Sequence, residues 1–314
     1  MQLRRVILVM MLFVFIVACN NDDGPDVETV PPRQLSEVVG EDAAEIQAYL
    51  ESHFYNYEDF ASPPVDFDYT VVLDTIAGAN ADKIALINQV ESITIQVASE
   101  DFGLDDGEIV EHTLYYLVAR EGDGASPTAA DSTFVKYEGS LLNGSLFDAT
   151  PNYTWQYLPF FLRGYSQAIA NFKVGDNIVV NPDGTTAITN SGVGVMFLPS
   201  GLAYFNGNQS GIPSYSPLIF KIDVGLYVED TDYDGDGIPS FMEDLNGDGD
   251  VTNDNTDAKE EEAIRSPAFP NHLDPDDDED GILTKDEIIV DSEGNITFPD
   301  EDNDGVPDYL DNDN

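Results

Sequence analysis

Aromatic side chains beside a single carboxylate are the first residues in this sequence that could support chemistry. The segment from Val135 to Thr150 runs through a turn and ends near Phe147 and Asp148. That pair is an unfavourable end for an ordinary core strand, but it suits a pocket wall that is apolar and holds one polar group. The same region supplies further candidates for the pocket: Tyr137, Trp155, Tyr165, Tyr204, Ile212 and Phe220. For each ring taken alone, plain core packing remains the alternative.

A second group consists of alternating acidic residues near the end of the chain. Aspartates two apart, followed by glycine, recur in "DYDGDGIPSFME", "DDDEDGILTKDE" and "DEDNDGVPDYLD". Alternate carboxylates turned by a glycine can wrap a hard cation of calcium's size. The predicted Ca²⁺ ligands are Asp232, Asp234, Asp236, Glu243, Asp276, Asp278, Asp280, Glu287, Asp300, Asp302, Asp304 and Asp311. The alternative is a solvated, disordered acidic tail.

Composition limits the class of protein. The chain has 314 residues, a formal net charge of -49, 42% hydrophobic residues and one cysteine. The apolar fraction is sufficient for a core, and so much negative charge excludes nucleic acid as the default partner, because phosphates would be repelled. One cysteine cannot form an internal disulfide.

The N-terminus has the pattern of an export signal. Arg4 and Arg5 precede an apolar run from Val6 to Val17, which is too short for a confident membrane span, and Ala18 is followed by Cys19. This pattern resembles a bacterial lipoprotein signal in which Cys19 is lipidated, and the following "NNDDG" resembles an export tag of Bacteroidota surface lipoproteins. We therefore expect a bacterial outer-membrane lipoprotein that faces the periplasm or the cell surface. An ordinary signal peptide with an incidental cysteine is the alternative.

The segments between these groups predict the elements that position them. We expect a signal peptide over 1–18, a tether over 19–40, an N-terminal extension of helix and strands over 41–112, a central domain over 113–228 and an acidic tail over 229–314. Apolar spacing predicts helices over 41–54 and 165–176, and β-branched runs such as "DFDYTVVLDTI" and "ESITIQVAS" predict strands. "NG" at Asn143 and Gly144 predicts a tight turn. One helix among many antiparallel-type strands gives an α+β class.

Four ordered blocks in the central domain carry a family resemblance. "YEGSLLNGSLFD", "LRGY", "PSGLAY" and "IPSYSPLIF" resemble the motifs of FKBP-type peptidyl-prolyl cis-trans isomerases over residues 113–228. The resemblance implies an antiparallel sheet wrapped on a short helix. The tail loops resemble EF-hand and thrombospondin type 3 calcium repeats, which implies structural calcium.

The FKBP resemblance also implies a role for each position of the pocket. Tyr137, Phe147 and Phe220 would form apolar walls, and Asp148 would supply a polar contact at the rim. Leu162 would hold a ligand carbonyl through its backbone N–H, and Tyr165 would form the floor. Tyr204 would donate a hydrogen bond and Ile212 would close the loop side.

The implied activity is isomerisation of X-Pro bonds in exported proteins, with no cofactor for catalysis. Rotation about an X-Pro bond crosses a barrier of about 18–20 kcal/mol, and a water-poor aromatic pocket with suitable donors favours the twisted amide. Two alternatives remain at this point: a module that binds proline-containing segments without turnover, and a calcium-dependent surface protein with an inactive pocket.

Overall fold

The computed structural model describes residues 31–180, 182, 186–264 and 267–312. Cys19 and the predicted signal lie outside the described residues. Within the described part of the chain, no helix is both long enough and apolar enough to cross a bilayer.

The N-terminal elements begin with a helix that buries one face. Helix α1 (Leu35–Ser52) places Leu35, Val38, Asp42, Ile46 and Leu50 on its buried side, three or four residues apart. It starts before the predicted helix over 41–54 and therefore inside the predicted tether. Strand β1 (His53–Tyr55), helix α2 (Tyr57–Ala61) and strand β2 (Leu73–Thr75) follow. The predicted strand in "DFDYTVVLDTI" is thus confined to three residues, which pair with β1.

A six-stranded antiparallel sheet forms the centre of the molecule. Its strands are β3 (Glu91–Ala98), β4 (Ile109–Arg120), β5 (Ser132–Leu141), β6 (Leu146–Tyr157), β9 (Gly192–Leu198) and β10 (Leu218–Val228), in the spatial order β3-β4-β9-β10-β5-β6. Helix α3 (Arg163–Ile169) lies between β6 and β9 in the chain, and a separate hairpin of β7 (Asn177–Val180) and β8 (Thr186–Thr189) follows it. This architecture confirms the predicted α+β class.

Both faces of the sheet are covered, which explains why β9 is buried along its whole length. On one face, Tyr165 and Ile169 of α3 join a core with Met196 and Leu198. On the other face, Ile46 and Leu50 of α1 pack in a second core that includes Val195 and Phe197. The N-terminal extension therefore covers the back of the sheet. It also contributes strand β3 to the sheet, so the sheet begins earlier in the chain than residue 113, where the central domain was predicted to begin.

The acidic tail has little regular structure. Its elements are helix α4 (Ala258–Ile264), helix α5 (Thr284–Glu287), strands β11 (Ile289–Val290) and β12 (Ile296–Thr297), and single 3-10 turns at Ser240–Glu243, Val251–Asn253, Asn271–Leu273 and Asp308–Leu310. Its buried apolar cluster is small and contains Ile238, Ile288 and Tyr309. With so small a core, apolar burial contributes little to the stability of the tail, and other interactions must hold its loops.

Candidate functional site

A cavity of about 550 Å³ opens on the face of the sheet that packs against α3. All of the pocket residues that the FKBP resemblance implied line it: Tyr137, Phe147, Asp148, Leu162, Tyr165, Tyr204, Ile212 and Phe220. They come from strands β5, β6 and β10, from the start of α3 and from the segment between β9 and β10. Trp155 does not line the cavity, since it lies further along β6, half-exposed, with its ring 5.0 Å from that of Phe134.

A β-bulge explains how the neighbouring residues Phe147 and Asp148 both reach the cavity. Gly139 pairs with Asp148, whereas Ser140 pairs with Leu146, so Phe147 is an extra residue on β6. In a regular strand, consecutive side chains point to opposite faces, and a bulge removes that constraint locally. The sequence "FD" after the Asn143-Gly144 turn therefore supplies an apolar and a polar group to one site.

Aromatic rings in edge-on contact form the inner wall. The ring of Phe220 lies 5.2 Å from that of Tyr165 and 5.6 Å from that of Phe147, both in T-shaped geometry. Tyr137 lies 6.1 Å from Phe220. Such contacts hold rings in fixed orientations and leave an apolar concave surface. This wall has the size and character to receive a proline ring.

Gly139 is required at the back of this wall. A Cβ atom placed on it would lie 2.6 Å from Cε2 of Phe147 and 3.0 Å from Cε1 of Phe220. Both distances are shorter than the 3.5–4.0 Å or so at which carbon atoms attract. Glycine thus lets the two phenyl rings lie directly against the strand.

The polar groups of the cavity are few and mostly fixed. The hydroxyl of Tyr137 donates to Oδ2 of Asp148 at 2.5 Å, and the hydroxyl of Tyr165 donates to Oε1 of Gln156 at 2.9 Å. Burial, together with the Asp148 carboxylate, raises the pKa of Tyr137, and burial raises the pKa of Tyr165. Both phenols are therefore neutral hydrogen-bonding groups at ordinary pH.

Two donors at the cavity have no acceptor in the described ranges of the chain. Leu162 caps α3, and its carbonyl accepts from the backbone N–H of Tyr165 at 2.9 Å, but its own N–H donates to no other described residue. The hydroxyl of half-buried Tyr204 likewise makes no hydrogen bond within the described chain. Both donors are available to a ligand carbonyl.

The loop that carries Tyr204 is anchored by the N-terminal extension. Asp42 of α1 is 2% exposed, and its Oδ2 accepts from the Ser200 backbone N–H at 2.7 Å and from the Ser200 hydroxyl at 2.6 Å. Burial raises the pKa of Asp42 to about 6. Helix α1 therefore fixes the segment before Tyr204 as well as covering the sheet.

Four further residues line the cavity without having been predicted to do so: Phe160, Phe161, Gln209 and Ser210. Phe160 and Phe161 lie between Asp148 and Gly164, in the segment just before helix α3. Gln209 and Ser210 lie in "FNGNQSG", the loop that follows Tyr204. Their position depends on loop conformation, for which the motif spacing gave no signal.

The tail brings several predicted acidic residues together. Asp232, Asp234 and Asp236 form one group, and the aspartates at 276, 278 and 280 and at 300, 302 and 304 form two others, each with carboxylate oxygens within 4.8 Å of one another. Glu243 instead groups with Asp236 and with Asp277, a residue that was not predicted. Glu287 and Asp311 do not lie in these groups.

The group of Asp236, Glu243 and Asp277 is unusual because each residue is only 1% exposed. Both carboxylate oxygens of Glu243, Oδ2 of Asp236 and Oδ1 of Asp277 have no hydrogen-bond partner among the described residues. Burial and the neighbouring carboxylates raise the pKa of Glu243 to about 10 and that of Asp277 to about 9. Buried carboxylates are normally paired or bound to a metal ion, so this group is chemically suited to hold a cation.

The tail packs on the segment that leads into the cavity. Tyr233 stacks on Tyr157 with ring centroids 4.1 Å apart, and its ring lies 5.2 Å from that of Phe160. The hydroxyl of Tyr157 and Nδ1 of His272 are 2.8 Å apart. Arg163, at the start of α3, lies 3.3 Å from a carboxylate oxygen of Asp248 and 3.3 Å from one of Asp250. The tail therefore contacts the central domain at residues 157–163, next to the cavity.

Comparison with known proteins gives a family-model match for the tail and similarity of the chain to several curated relatives. Residues 233–298 match the family model "BamM C-terminal". The chain is 29% identical over 168 residues to the FKBP-type peptidyl-prolyl cis-trans isomerase FkpA of Aeromonas hydrophila, a match that covers 54% of this chain and 57% of the relative. It is 30% identical over 115 residues to the peptidyl-prolyl cis-trans isomerase Mip of Coxiella burnetii, covering 35% and 43%.

A solved peptidyl-prolyl cis-trans isomerase from Pseudomonas syringae superposes with a TM-score of 0.35 at 16% identity, covering 64% of this chain and 100% of that one. The chain spans only about half the length of the curated relatives it matches. The sequence similarity to FkpA and Mip supports a relationship to the FKBP-type peptidyl-prolyl cis-trans isomerases.

Proposed function

We propose that the cavity catalyses cis-trans isomerisation of X-Pro bonds in exported polypeptides. The single observation that carries this proposal is the convergence of the aromatic wall, the Tyr137–Asp148 pair and the free Leu162 N–H on one cavity of about 550 Å³. The curated relatives, which are named as isomerases of this type, support it.

The residues suit a reaction without covalent chemistry. Amide resonance makes the planar X-Pro bond hard to rotate, with a barrier of about 18–20 kcal/mol. The rings of Tyr165 and Phe220 would exclude water, which stabilises the planar, polar amide, while the Leu162 N–H would hold the carbonyl before the proline. Interactions that are stronger with the twisted amide than with the planar one accelerate rotation, and each 1.4 kcal/mol or so corresponds to about tenfold in rate.

The test is an isomerase assay on a proline-containing peptide, with the double variant Asp148→Ala/Phe220→Ala and with Trp155→Ala as a matched control. Trp155 is a large, half-exposed aromatic residue on the same strand as Asp148 but outside the cavity. We expect the double variant to lose activity and the control to retain it. Equal activity of wild type and double variant at enzyme excess would refute catalysis at this cavity.

Binding measurements beside this assay separate the two alternatives. A module that only holds proline-containing segments would bind a labelled peptide, release it to an excess of unlabelled peptide and show no turnover. A calcium-dependent surface protein would bind cells only in calcium and show no isomerase activity.

For the tail, we propose structural Ca²⁺ binding by the alternating aspartates, and the buried carboxylates of Glu243 and Asp277 support this proposal. Removing the cation would leave these charges buried without compensation, so chelation should unfold the tail. Circular dichroism and limited proteolysis with calcium or with chelator test it. Spectra and cleavage patterns that ignore both additions would contradict it.

For the location, we propose anchoring through lipidated Cys19, which is based on the sequence pattern around it. Metabolic labelling with a radioactive fatty acid tests this in cells that produce either the wild type or Cys19→Ser. Label on both proteins, or on neither, would exclude lipidation at Cys19.

A further inference from the structure

A further group of acidic residues lies in the tail outside the repeated aspartate loops. Asp257, Glu261 and Asp274 each offer a carboxylate oxygen within 4.8 Å of the other two. Asp257 immediately precedes α4, Glu261 lies within it, and Asp274 follows the 3-10 turn Asn271–Leu273. No Asp-x-Asp-x-Asp-Gly pattern includes these residues, so the motif gives no reason to expect a site here.

Burial distinguishes this group from an ordinary acidic surface. Asp257 is 3% exposed and Glu261 is 2% exposed. Within the part of the chain that the structure describes, Oδ2 of Asp257 is buried without a hydrogen-bond partner, and so is Oδ1 of neighbouring Asn255. A buried carboxylate oxygen without a partner carries a large desolvation cost, which a bound cation would offset.

The carboxylate of Glu261 is held in a fixed orientation. Both of its oxygens accept from the Phe269 backbone N–H at 3.1 Å, and Oε2 also accepts from Nδ2 of Asn255 at 2.8 Å. The same contact leaves the amide oxygen of Asn255 as a further possible ligand. Among the described residues, no lysine or arginine forms an ion pair with Asp257, Glu261 or Asp274.

We propose that Asp257, Glu261 and Asp274 bind a divalent cation of the calcium class, in addition to the sites in the repeated loops. The donors are all hard oxygens, which suit Ca²⁺. Ca²⁺ holds its ligands at about 2.3–2.6 Å, so opposed oxygens lie about 5 Å apart, a separation compatible with this group. Bound there, the ion joins α4 to the segment before the loop at 276–280.

This inference rests on the proposed calcium binding of the tail, and the experiment separates the two. The full chain is dialysed against CaCl₂, and bound calcium per chain is measured by atomic emission for wild type, Glu261→Gln and Asp257→Asn. Glu262→Gln is the matched control, because Glu262 is the exposed neighbour of Glu261 on the same helix. We expect the first two variants to bind one ion fewer than wild type and the control to bind the same number.

Thermal unfolding supplies a second measurement that does not depend on counting ions. In chelator, Glu261→Gln and Asp257→Asn should melt no lower than wild type, because no bound ion is lost there and each variant removes one of the mutually repelling charges of the tail. In calcium, their melting temperatures should rise less than that of wild type.

Full calcium binding and the full wild-type rise in both variants would overturn this site while leaving the repeated loops in place. A variant that melts lower than wild type in chelator would show a merely structural role for that carboxylate. A wild-type chain that binds no calcium would overturn both this site and the proposed function of the tail.

Discussion

Gly139→Ala tests whether the aromatic wall must have its observed shape. The added Cβ would lie 2.6 Å from Cε2 of Phe147, and carbon contacts are favourable only beyond about 3.5 Å, so the ring must move by roughly 1 Å. Phe147 is half-buried, which lets its ring rotate outward. A displacement of about 1 Å in a catalytic arrangement can cost about 100-fold in rate.

We therefore expect Gly139→Ala to lower kcat/KM for a proline-containing peptide by about 10–100-fold. The free energy of unfolding should fall by only about 1–3 kcal/mol, the usual cost of inserting a methyl group into a packed site. Stopped-flow isomerase kinetics measure the first quantity and urea unfolding in calcium measures the second.

Gly144→Ala is the matched control in the same hairpin. Gly144 has a φ of +82°, and no atom lies within 4 Å of a Cβ placed on it. Alanine in this left-handed conformation costs about 1 kcal/mol, but it touches no cavity residue. If both variants isomerise the peptide as fast as wild type, the geometry of Phe147 does not control catalysis and the reasoning from the wall fails.

Three other changes test separate parts of the site. Leu162→Pro removes the backbone N–H at a residue whose φ of -57° suits proline. Its kcat/KM should be about tenfold below that of Leu162→Ala, and equal values would exclude the N–H as a ligand contact. Because burial raises the pKa of Asp42 to about 6, its protonated form favours the folded state, and that stabilisation is present below about pH 4 and lost as the pH rises through 6. As the pH rises across this range, the free energy of unfolding of wild type in urea should fall by up to about 3 kcal/mol relative to that of Asp42→Asn. The same pH dependence in both proteins would contradict a raised pKa. Tyr233→Ala should lower the free energy of unfolding in calcium by about 1–2 kcal/mol, because it removes a half-exposed ring stacked on Tyr157, and an unchanged value would show that this contact does not hold the tail.

The cavity could be predicted from sequence because its residues occur in short blocks with fixed internal spacing. Within "YEGSLLNGSLFD", the turn at Asn143-Gly144 brings Tyr137 and Asp148 to paired strands. The bulge at Phe147 could not be predicted, because it depends on the register that β5 adopts with β6 and β10 together. Gln209 and Ser210 were missed because a loop without periodic apolar residues carries no signal for its conformation.

The role of the N-terminal extension depends on contacts that the local sequence does not encode. The apolar spacing of Ile46 and Leu50 predicted a helix with one buried face, but not which surface would cover that face. The structure places it on the back of the sheet, and the buried contact of Asp42 with Ser200 ties it to the loop of Tyr204.

In the tail, alternation predicted the aspartates at 276, 278 and 280 as ligands and thereby passed over Asp277. The carboxylate of Asp277 is not part of the group formed by the aspartates of its own loop. Asp277 instead meets Asp236 and Glu243 of an earlier loop. Ligands that come from two loops are a property of tertiary packing, and a motif read within one loop cannot identify them.

Charge contributes to the contact between the tail and the segment before the cavity. The chain has a net charge of -49, and its twelve strong bases are too few to neutralise the acidic loops. Arg163 is one of these bases, and it lies beside Leu162, where it meets Asp248 and Asp250. A positive charge at the start of a helix interacts unfavourably with the helix dipole. The carboxylates around Arg163 offset this unfavourable interaction and at the same time gain a positively charged partner. The same segment carries Phe160, whose ring contacts Tyr233 of the tail and also lines the cavity. Residues Arg33–Asn314 form one compact unit. Without the tail, the central domain would expose Tyr157, and Arg163 would keep only Asp101 as an ion-pair partner among the described residues.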